Sequence, residues 1–447
     1  MVNKNVDKQD IKNWYLSEFA RFEQRLHGGK SHPFHNTRKN AIAAFSKLGF
    51  PHVKMEEWRY TDISQLLQHR FQFAGKAVDP SRIDLAPFLF EGLNAGLLVF
   101  INGQFSPELS KLEFPVKDVF FSDLAGAFEK NPSLIEDHLT RYADSSNSAF
   151  TALNTAFTRD GAVIYLPDNR TAGKPVDILN ISDARDSSFV SHPRNLIVVG
   201  KNSRVEIVES YYAVGDGVYF NNPVCELVLA ENAVVDYLRI QKESEAAFHI
   251  STTQVFQQKD SVFTGMNIDL GGGLVRNSLN VLLNGENCQT KLYGYYMVSG
   301  SQFVDNHTYI DHARPHGTSN QLYKGILADS AKGVFSGIVH VRPDAQKTNA
   351  FQQNKNLLLS DNAEVSAKPQ LKIYADDVRC THGATVGQID EKAVFYLRQR
   401  GVKKENALAM LRYAFAADVL DNIGTDVLRL KVDRLVKEKF ARDKGEV

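Results

Sequence analysis

Between about Gly161 and Asp390 the sequence follows the periodicity of β-strands and lacks that of helices. Runs such as AVIYLP, NLIVVG, RVEIVE and VVDYLRI alternate apolar with polar residues, and turn-forming residues separate them. Alternation with a period of two residues places one set of side chains on each face of a strand. The central part of the chain is therefore predicted to be mainly β.

A unit of turn, small residue and strand recurs through this stretch. Its copies are KNSRVEI, ENAVVDY, KDSVFTG, ENCQTKL, DSAKGVF and DNAEVSA. Their small residues are Ser203, Ala233, Ser261, Cys288, Ala331 and Ala363, at spacings of 30, 28, 27, 43 and 32 residues. Such a repeat predicts the stacked coils of a β-helix, in which strands lie ~4.8 Å apart and bulky turn residues would clash. A β-sandwich is the alternative.

Helical patterns precede the β region. Apolar residues recur every three or four positions from Ile11 to Leu26, and Gly28 and Gly29 end that pattern. A second helix is predicted over 41–49, ending at Gly49. Residues 65–150 mix helical and short extended pieces without a clear period.

Helical patterns also follow the β region. They predict helices over 393–401, with Asp390 as N-cap, and over 405–424, and Thr425 is a candidate cap for a last helix. The predicted domains are a mostly helical N-terminal region (1–150), a β-helix core (151–389) and a C-terminal helical region (390–447).

Composition excludes several functional classes. Lys plus Arg equals Asp plus Glu, at 52 each, so the chain lacks the basic excess of a nucleic-acid-binding protein. The cysteines are three and widely spaced, unlike a secreted disulfide scaffold. No run reaches the ~18 apolar residues of a membrane helix, and the first residues form no signal core. We expect a cytoplasmic protein without nucleic-acid or membrane partners.

Cys380 and His382 form the most informative chemical pair, in the segment YADDVRCTHGATVGQIDE. On an extended strand, residues i and i+2 share a face, so thiolate and imidazole would be neighbours. Both are ligands for zinc, iron or iron–sulfur species, but two ligands do not complete a four-coordinate site. The alternatives are a buried free cysteine beside a hydrogen-bonded histidine, or a Cys–His nucleophile oriented by Asp376 or Asp377.

Other motifs carry weaker signals. Cys288 occupies a small-residue position of the repeat and Cys225 lies mid-strand, so both are predicted to pack in the core. His307, His312 and His316 do not share a strand face, which favours rim or interface histidines over a zinc site. Among nucleotide-binding motifs, neither G-x-x-x-x-G-K-[ST] nor G-x-G-x-x-G occurs, so we expect no ATP site in this chain.

The runs AQKTNAFQQNKNLLLS and ADDVRCTHGATVGQID, with KLGFPHVKMEEWRYTDIS near the N-terminus, resemble the SufD branch of the SufB/SufD family of iron–sulfur cluster assembly scaffolds. The resemblance covers essentially the whole chain. SufB-like chains differ by His-Glu-Ala-Thr where this chain has His382-Gly383-Ala384-Thr385, and by a key cysteine farther upstream. This chain has Asn356 and Leu357 in NKNLLLS and no cysteine in that neighbourhood.

The resemblance implies a non-catalytic scaffold with a β-helix core. It implies pairing with SufB through the cores, binding of the SufC ATPase by the C-terminal helices, and sulfur supplied by a desulfurase system. Cys380 and His382 would face a transient iron–sulfur cluster at the SufB interface. ATP would be bound only by SufC, and the family leaves room for reduced flavin in the complex.

Other functions remain as alternatives. A SufB-like paralogue differs only in the motifs above. A β-helix enzyme acting on polysaccharide would carry an export signal and clustered carboxylates on one strand face, neither of which is evident. A stand-alone metal-binding protein would need more ligands close together than Cys380 and His382 provide.

Overall fold

The computed structural model describes residues 8–25, 34–73, 78–112 and 119–442. Within these ranges the chain forms helices at both ends and strands between them. The helices are α1 (Lys8–Arg25), α2 (His35–Leu48), α3 (Leu124–Lys130), α4 (Pro132–His138), α5 (Ala149–Phe157), α6 (Glu391–Gln399), α7 (Lys404–Leu420) and α8 (Asp426–Arg442).

Within the same ranges a few strands precede α5, and the others make up most of the chain between α5 and α6. In chain order they are β1 (Gln72–Phe73), β2 (Gly96–Ile101), β3 (Gln104–Phe105), β4 (Phe120–Asp123), β5 (Ala162–Leu166), β6 (Val176–Asp183), β7 (Phe189–Ser191), β8 (Arg194–Val199), β9 (Arg204–Val214), β10 (Phe220–Asn221), β11 (Val224–Leu229), β12 (Val234–Lys242), β13 (Phe248–Gln257), β14 (Val262–Asp269), β15 (Leu274–Leu283), β16 (Gln289–Val298), β17 (Phe303–His312), β18 (Thr318–Leu327), β19 (Lys332–Val341), β20 (Asn349–Leu358), β21 (Glu364–Ile373) and β22 (Arg379–Gly387).

Successive strands alternate between two sheets, so the chain winds as a β-solenoid of about eight turns. One sheet runs β22-β20-β18-β16-β14-β12-β9-β6-β2-β3, and the other runs β21-β19-β17-β15-β13-β11-β8-β5-β4 with β1, β7 and β10 beside it. All pairings are parallel except β2–β3 and β4–β5. The predicted β-helix with helical flanks is confirmed, and the β-sandwich is excluded.

Every small residue of the predicted repeat is buried at a corner of a coil. Ser203, Ala233, Ser261 and Cys288 are preceded by Asn or Asp residues with φ between 54° and 60°. Asn and Asp tolerate this left-handed conformation better than most residues, which explains the polar residue in each turn.

The repeat nevertheless joins two series. The first four small residues of the repeat, from Ser203 to Cys288, each stand just before a strand of the ten-stranded sheet. Ala331 and Ala363 stand before β19 and β21, which belong to the other sheet. The positions that continue the first series are Gly317 and Thr348, both buried before β18 and β20. The spacing of 43 residues therefore marks a change of corner, because corners of both sheets select small side chains.

The N-terminal helices pack on one side of the solenoid through an aromatic cluster. The predicted apolar face of α1 is buried at Ile11, Tyr15, Phe19 and Phe22. The α2 helix begins at His35, earlier than predicted, and ends at Gly49, where φ is 65°. The predicted stop at Gly28 and Gly29 lies outside the described residues.

A buried ion pair fastens this region to the solenoid. The guanidinium of Arg194 donates to Glu226 at 2.8 Å, and both side chains are fully buried. Glu226 also accepts hydrogen bonds from the backbone N–H groups of Thr140, Tyr142 and Ala143, while Arg194 also donates to Thr155 of α5.

The domain limits predicted at residues 150 and 389 stay a prediction. Two strands that precede residue 150, β2 and β3, already belong to the ten-stranded sheet.

The C-terminal helices turn back onto the outer face of the ten-stranded sheet. Lys324 of β18 is buried there, and its Nζ donates to the carbonyl of Phe415 at 2.9 Å and to the carboxylate of Asp418, both in α7. Asp390 caps α6 as predicted, by accepting the backbone N–H of Lys392. The hydroxyl of Thr425 donates to Glu206 at the start of α8. In the described ranges no helix is long and apolar enough to cross a membrane.

Candidate functional site

The structure places Cys380 and His382 in β22, the last strand of the ten-stranded sheet. They lie in register with Ala350 and Gln352 of β20, whose side chains are buried inside the solenoid. Both residues therefore share the inward-facing side of the strand, as the i, i+2 spacing predicts.

The last coil of the solenoid ends in two free strand edges. In the described part of the chain, β22 pairs only with β20 and β21 pairs only with β19. We call the exposed edges of β21 and β22 the open end. Because no further coil covers it, eight of the nine residues of β22 are exposed, and Cys380 is half-buried.

The environment of Cys380 is mainly apolar. Its side chain packs against a small cluster that includes Val339, Val341, Ala345 and Ala350. Burial raises the pKa of the Cys380 thiol, and a hydrogen bond with the Ala350 backbone acts in the opposite direction. The thiol is therefore neutral near pH 7, and it must release a proton when it binds a metal ion.

Amide side chains fill the solenoid interior beneath His382. Gln352 donates from Nε2 to Oε1 of Gln321 at 2.8 Å, and Gln321 donates to Oγ1 of Thr308 in the opposite sheet at 2.5 Å. Asn356 donates to Asn354 at 2.6 Å one step farther along β20.

Large apolar side chains surround the open end on the protein surface. The exposed fractions are 45% for Phe351, 39% for Ile373, 63% for Tyr374 and 49% for Val386. An exposed apolar rim beside unpaired strand edges is typical of a surface that another protein covers.

The described residues do not add a third metal-binding side chain to Cys380 and His382. No group of three or more His, Cys, Asp or Glu side chains in the described ranges is placed to hold a metal ion. Asp377 pairs with Lys347 in the turn before β22, and no hydrogen bond or ion pair between described residues joins Asp377 to His382. The arrangement offers one sulfur and one nitrogen donor on an exposed surface.

The remaining cysteines and histidines have structural surroundings. Cys225 and Cys288 are buried as predicted, and Cys288 Sγ lies 3.0 Å from the carbonyl of Gln258. The three histidines of the 307–316 segment do not converge. His312 contacts Ser319 inside the solenoid, His307 lies beside Asp305 on the outer face, and His316 occupies a turn.

One anchoring site was not predicted from the sequence. Arg276 of β15 donates to Asp305 of β17 and to the carbonyl of Glu57, and its guanidinium carbon lies 3.9 Å from the ring centre of Trp58. Thr61 also donates to Asp305. The motif KMEEWRYTDIS is thus a docking segment on the outer face of the solenoid. The only feature of the sequence that could have indicated this contact is the cluster of aromatic and charged residues in the motif.

Two family models match the chain. The model described as "SUF system FeS cluster assembly, SufBD core domain" matches residues 180–415, and the model "SufBD protein N-terminal region" matches residues 9–178. Together they span the solenoid and both helical flanks up to α7.

Curated relatives agree with these models. An iron–sulfur cluster assembly SufBD family protein of Synechocystis is 37% identical over 399 residues, which is 87% of each chain. The iron–sulfur cluster assembly protein SufD of Escherichia coli is 27% identical, covering 86% of this chain and 88% of its own. SufD of Bacillus subtilis is 26% identical over 97% of this chain and 98% of its own. The chain with this solenoid and this Cys–His edge therefore belongs to the SufBD family of iron–sulfur cluster assembly proteins.

Proposed function

We propose that this chain is a SufD-like scaffold subunit that pairs with a SufB-like partner through the open end. In that complex it contributes Cys380 and His382 to a nascent iron–sulfur cluster. The observation that carries the proposal is the position of a two-ligand half-site on a terminal strand with one free edge. A partner strand at this edge would bring the missing ligands within reach of the pair.

The edge of β22 has the properties of a pairing surface. Soluble proteins usually protect free strand edges with prolines, lysines or a covering element. The β22 sequence RCTHGATVG contains no proline or lysine, and Arg379 is its only permanently charged residue. By contrast, β21 carries Lys368, Pro369 and Lys372. We infer that β22 makes the main contact.

The chemistry of the pair suits a transient cluster rather than a resident one. Cysteine thiolate and histidine nitrogen both bind iron in clusters, and histidine ligation raises the reduction potential. Cys380 releases its proton on binding, and inorganic sulfide and the partner supply the other ligands. With only two donors from this chain, the cluster can leave when the subunits separate.

The C-terminal helices supply a docking surface for the SufC ATPase. The α6 helix buries none of its residues, and Phe395 and Tyr396 are 61% and 53% exposed. Only residues 388–390 separate β22 from α6, so displacement of α6 acts directly on the site strand. This connection supports ATP-driven control of access to the cluster. Bound flavin and a desulfurase donor stay predictions of the family resemblance.

The SufD-like assignment is favoured over a SufB-like one. His382 is followed by Gly383, and Asn356 stands in a neighbourhood that carries a cysteine in SufB-like chains. Two of the relatives above are named SufD. No observation favours a polysaccharide-acting enzyme.

The test is co-expression with SufB and SufC of the same organism, affinity purification, and anaerobic reconstitution with iron and sulfide. The variants are His382→Ala and Cys380→Ala. Their controls are His316→Asn, in an exposed turn, and Cys288→Ala, which places alanine where the repeat already has Ala233. We expect the complex to form in all cases and the cluster to be lost only in the two site variants.

Two results would change the proposal. It fails if the wild-type chain neither associates with the partners nor supports a cluster. If His382→Ala alone abolishes the cluster, Cys380 has a structural role and the partner supplies the thiolates.

A further inference from the structure

Gln352 is a buried amide with an unused acceptor directly beneath the candidate site. Its side chain is 1% exposed, and it lies in register with His382 on the neighbouring strand. Its Nε2 donates to Oε1 of Gln321. Its Oε1 is buried and accepts no hydrogen bond from the described residues.

Gln321, which lies in the preceding coil, determines the orientation of the Gln352 amide. Gln321 donates to Thr308 in the opposite sheet, so Oε1 of Gln321 is left to accept from Gln352. Because Nε2 of Gln352 is directed at β18, its Oε1 lies on the side of the amide away from that strand. His382 is the residue paired with Gln352 on the side of β22.

The opposite sheet makes room for the amide. A Cβ atom built on Gly337 of β19 would lie 2.3 Å from Nε2 of Gln352, which is closer than real contacts allow. Any larger residue at position 337 would push the amide out of place. The position of Gln352 is thus determined by Gln321 on one side and by the missing side chain of Gly337 on the other.

A buried carbonyl oxygen without a donor is costly, and native proteins usually satisfy it. The donor available here is a ring N–H of His382, since the two side chains share the inner face of paired strands. Histidine ligands of metals usually donate their second ring nitrogen to a carbonyl or carboxylate, which selects the tautomer and orients the ring.

We propose that Gln352 is the positioning residue for His382. Its Oε1 accepts a ring N–H of the imidazole, and the other ring nitrogen then points its lone pair out of the solenoid toward the cluster. The contact forms when the exposed side chain of His382 rotates toward Oε1, and its use in ligation rests on the function proposed above. Gln352 acts through His382 and does not touch the cargo.

The test uses the full chain labelled with ¹⁵N-histidine, and ring nitrogen shifts report the tautomer of His382. The chain has 13 histidines, and comparison with His382→Ala identifies the signal. The variants are Gln352→Met, which keeps the length and removes the acceptor, and Gln352→Glu, which keeps an acceptor. Gln353→Met is the matched control, because Gln353 is the next residue of β20 and is exposed on its other face.

We expect one neutral tautomer to predominate in the wild type, Gln353→Met and Gln352→Glu, and a mixture in Gln352→Met. Identical tautomer populations in all four proteins would overturn the proposal, whatever the partners do. In the reconstituted complex, Gln352→Met should weaken iron binding by roughly 10- to 100-fold. If the tautomer changes and iron binding does not, the contact is established and the ligand role of His382 is the part that fails.

Discussion

Cys380 of β22 is the register partner of Ala350 in β20. It is the last member of a column of small and polar side chains that runs along the inner face of the ten-stranded sheet. The column continues through Ser319 and Thr290 in the two preceding coils. In those coils each side chain is covered by the next strand, whereas in the described chain nothing covers Cys380. The Cys380 thiol thus lies at the coil where the repeat stops.

The interior histidine His312 makes stability depend on pH. Burial lowers its pKa to about 4, against the opposing attraction of Asp311. Since a histidine in the unfolded chain titrates near ~6.5, the unfolded chain binds a proton between these values and the folded chain does not. Stability is therefore retained above pH ~6.5 and falls by about 3 kcal/mol as pH decreases to ~4.

His312→Gln removes this titration and should make the fall in thermal unfolding temperature between pH 7 and pH 5 less steep; the buried His192, whose pKa burial lowers to about 3, accounts for part of the fall that remains. His316→Asn is the control, because that residue is exposed in a turn. An unchanged slope in His312→Gln would show that His312 is accessible to protons in the folded protein.

Corner positions of the coils tolerate only small side chains. Ala331 is fully buried before β19, and the preceding residue, Ser330, is exposed. Ala331→Leu should lower the free energy of unfolding by about 1–3 kcal/mol through overpacking. Ser330→Leu should change it by less than about 0.5 kcal/mol. Urea denaturation followed by circular dichroism measures both, and equal effects would argue against close packing at this corner.

The buried pair Arg194–Glu226 should be the main electrostatic anchor of the N-terminal helices. Arg194→Met leaves the Glu226 carboxylate buried without its cation, and this should destabilise the protein by about 3–5 kcal/mol. Arg204→Met is the control, since the Arg204–Asp236 pair is largely exposed and contributes about 0–1 kcal/mol. The urea midpoints compare the two variants, and similar small losses would mean that the backbone donors alone satisfy Glu226.

The general architecture could be predicted from the sequence because it depends on local patterns. Period-two strands, polar left-handed turns and small corner residues are all encoded within a few residues of one another. The change of corner between Cys288 and Ala331 could not be predicted, because both sheets place small residues at their corners. The approximate end of the solenoid followed from the return of helical patterning after Asp390.

Contacts between distant segments could not be predicted. Trp58 and Arg276 meet only because the docking segment lies across β15, and no sequence pattern pairs residues so far apart. The same holds for the unsatisfied Oε1 of Gln352, which depends on the register of β20 with β22 and on Gly337 in the other sheet. The Cys–His pair itself was visible, since its geometry needs only one extended strand.

The free edge of β22 allows a direct test of the pairing surface. The backbone N–H of Arg379 bonds to the carbonyl of Thr348, the residue immediately before β20. Because alternate residues of a parallel strand direct their N–H groups to opposite sides, the N–H of Ala384 points away from β20. Proline at that position removes a donor from the free edge and is tolerated on edge strands.

The decisive measurement is the amount of SufB that co-purifies with Ala384→Pro, compared with the wild type and with Ala384→Val, which keeps the N–H. We predict that Ala384→Pro unfolds at nearly the wild-type temperature yet loses most of its SufB, while Ala384→Val retains it. Undiminished SufB with Ala384→Pro would contradict the central claim that the partner pairs with the edge carrying Cys380 and His382.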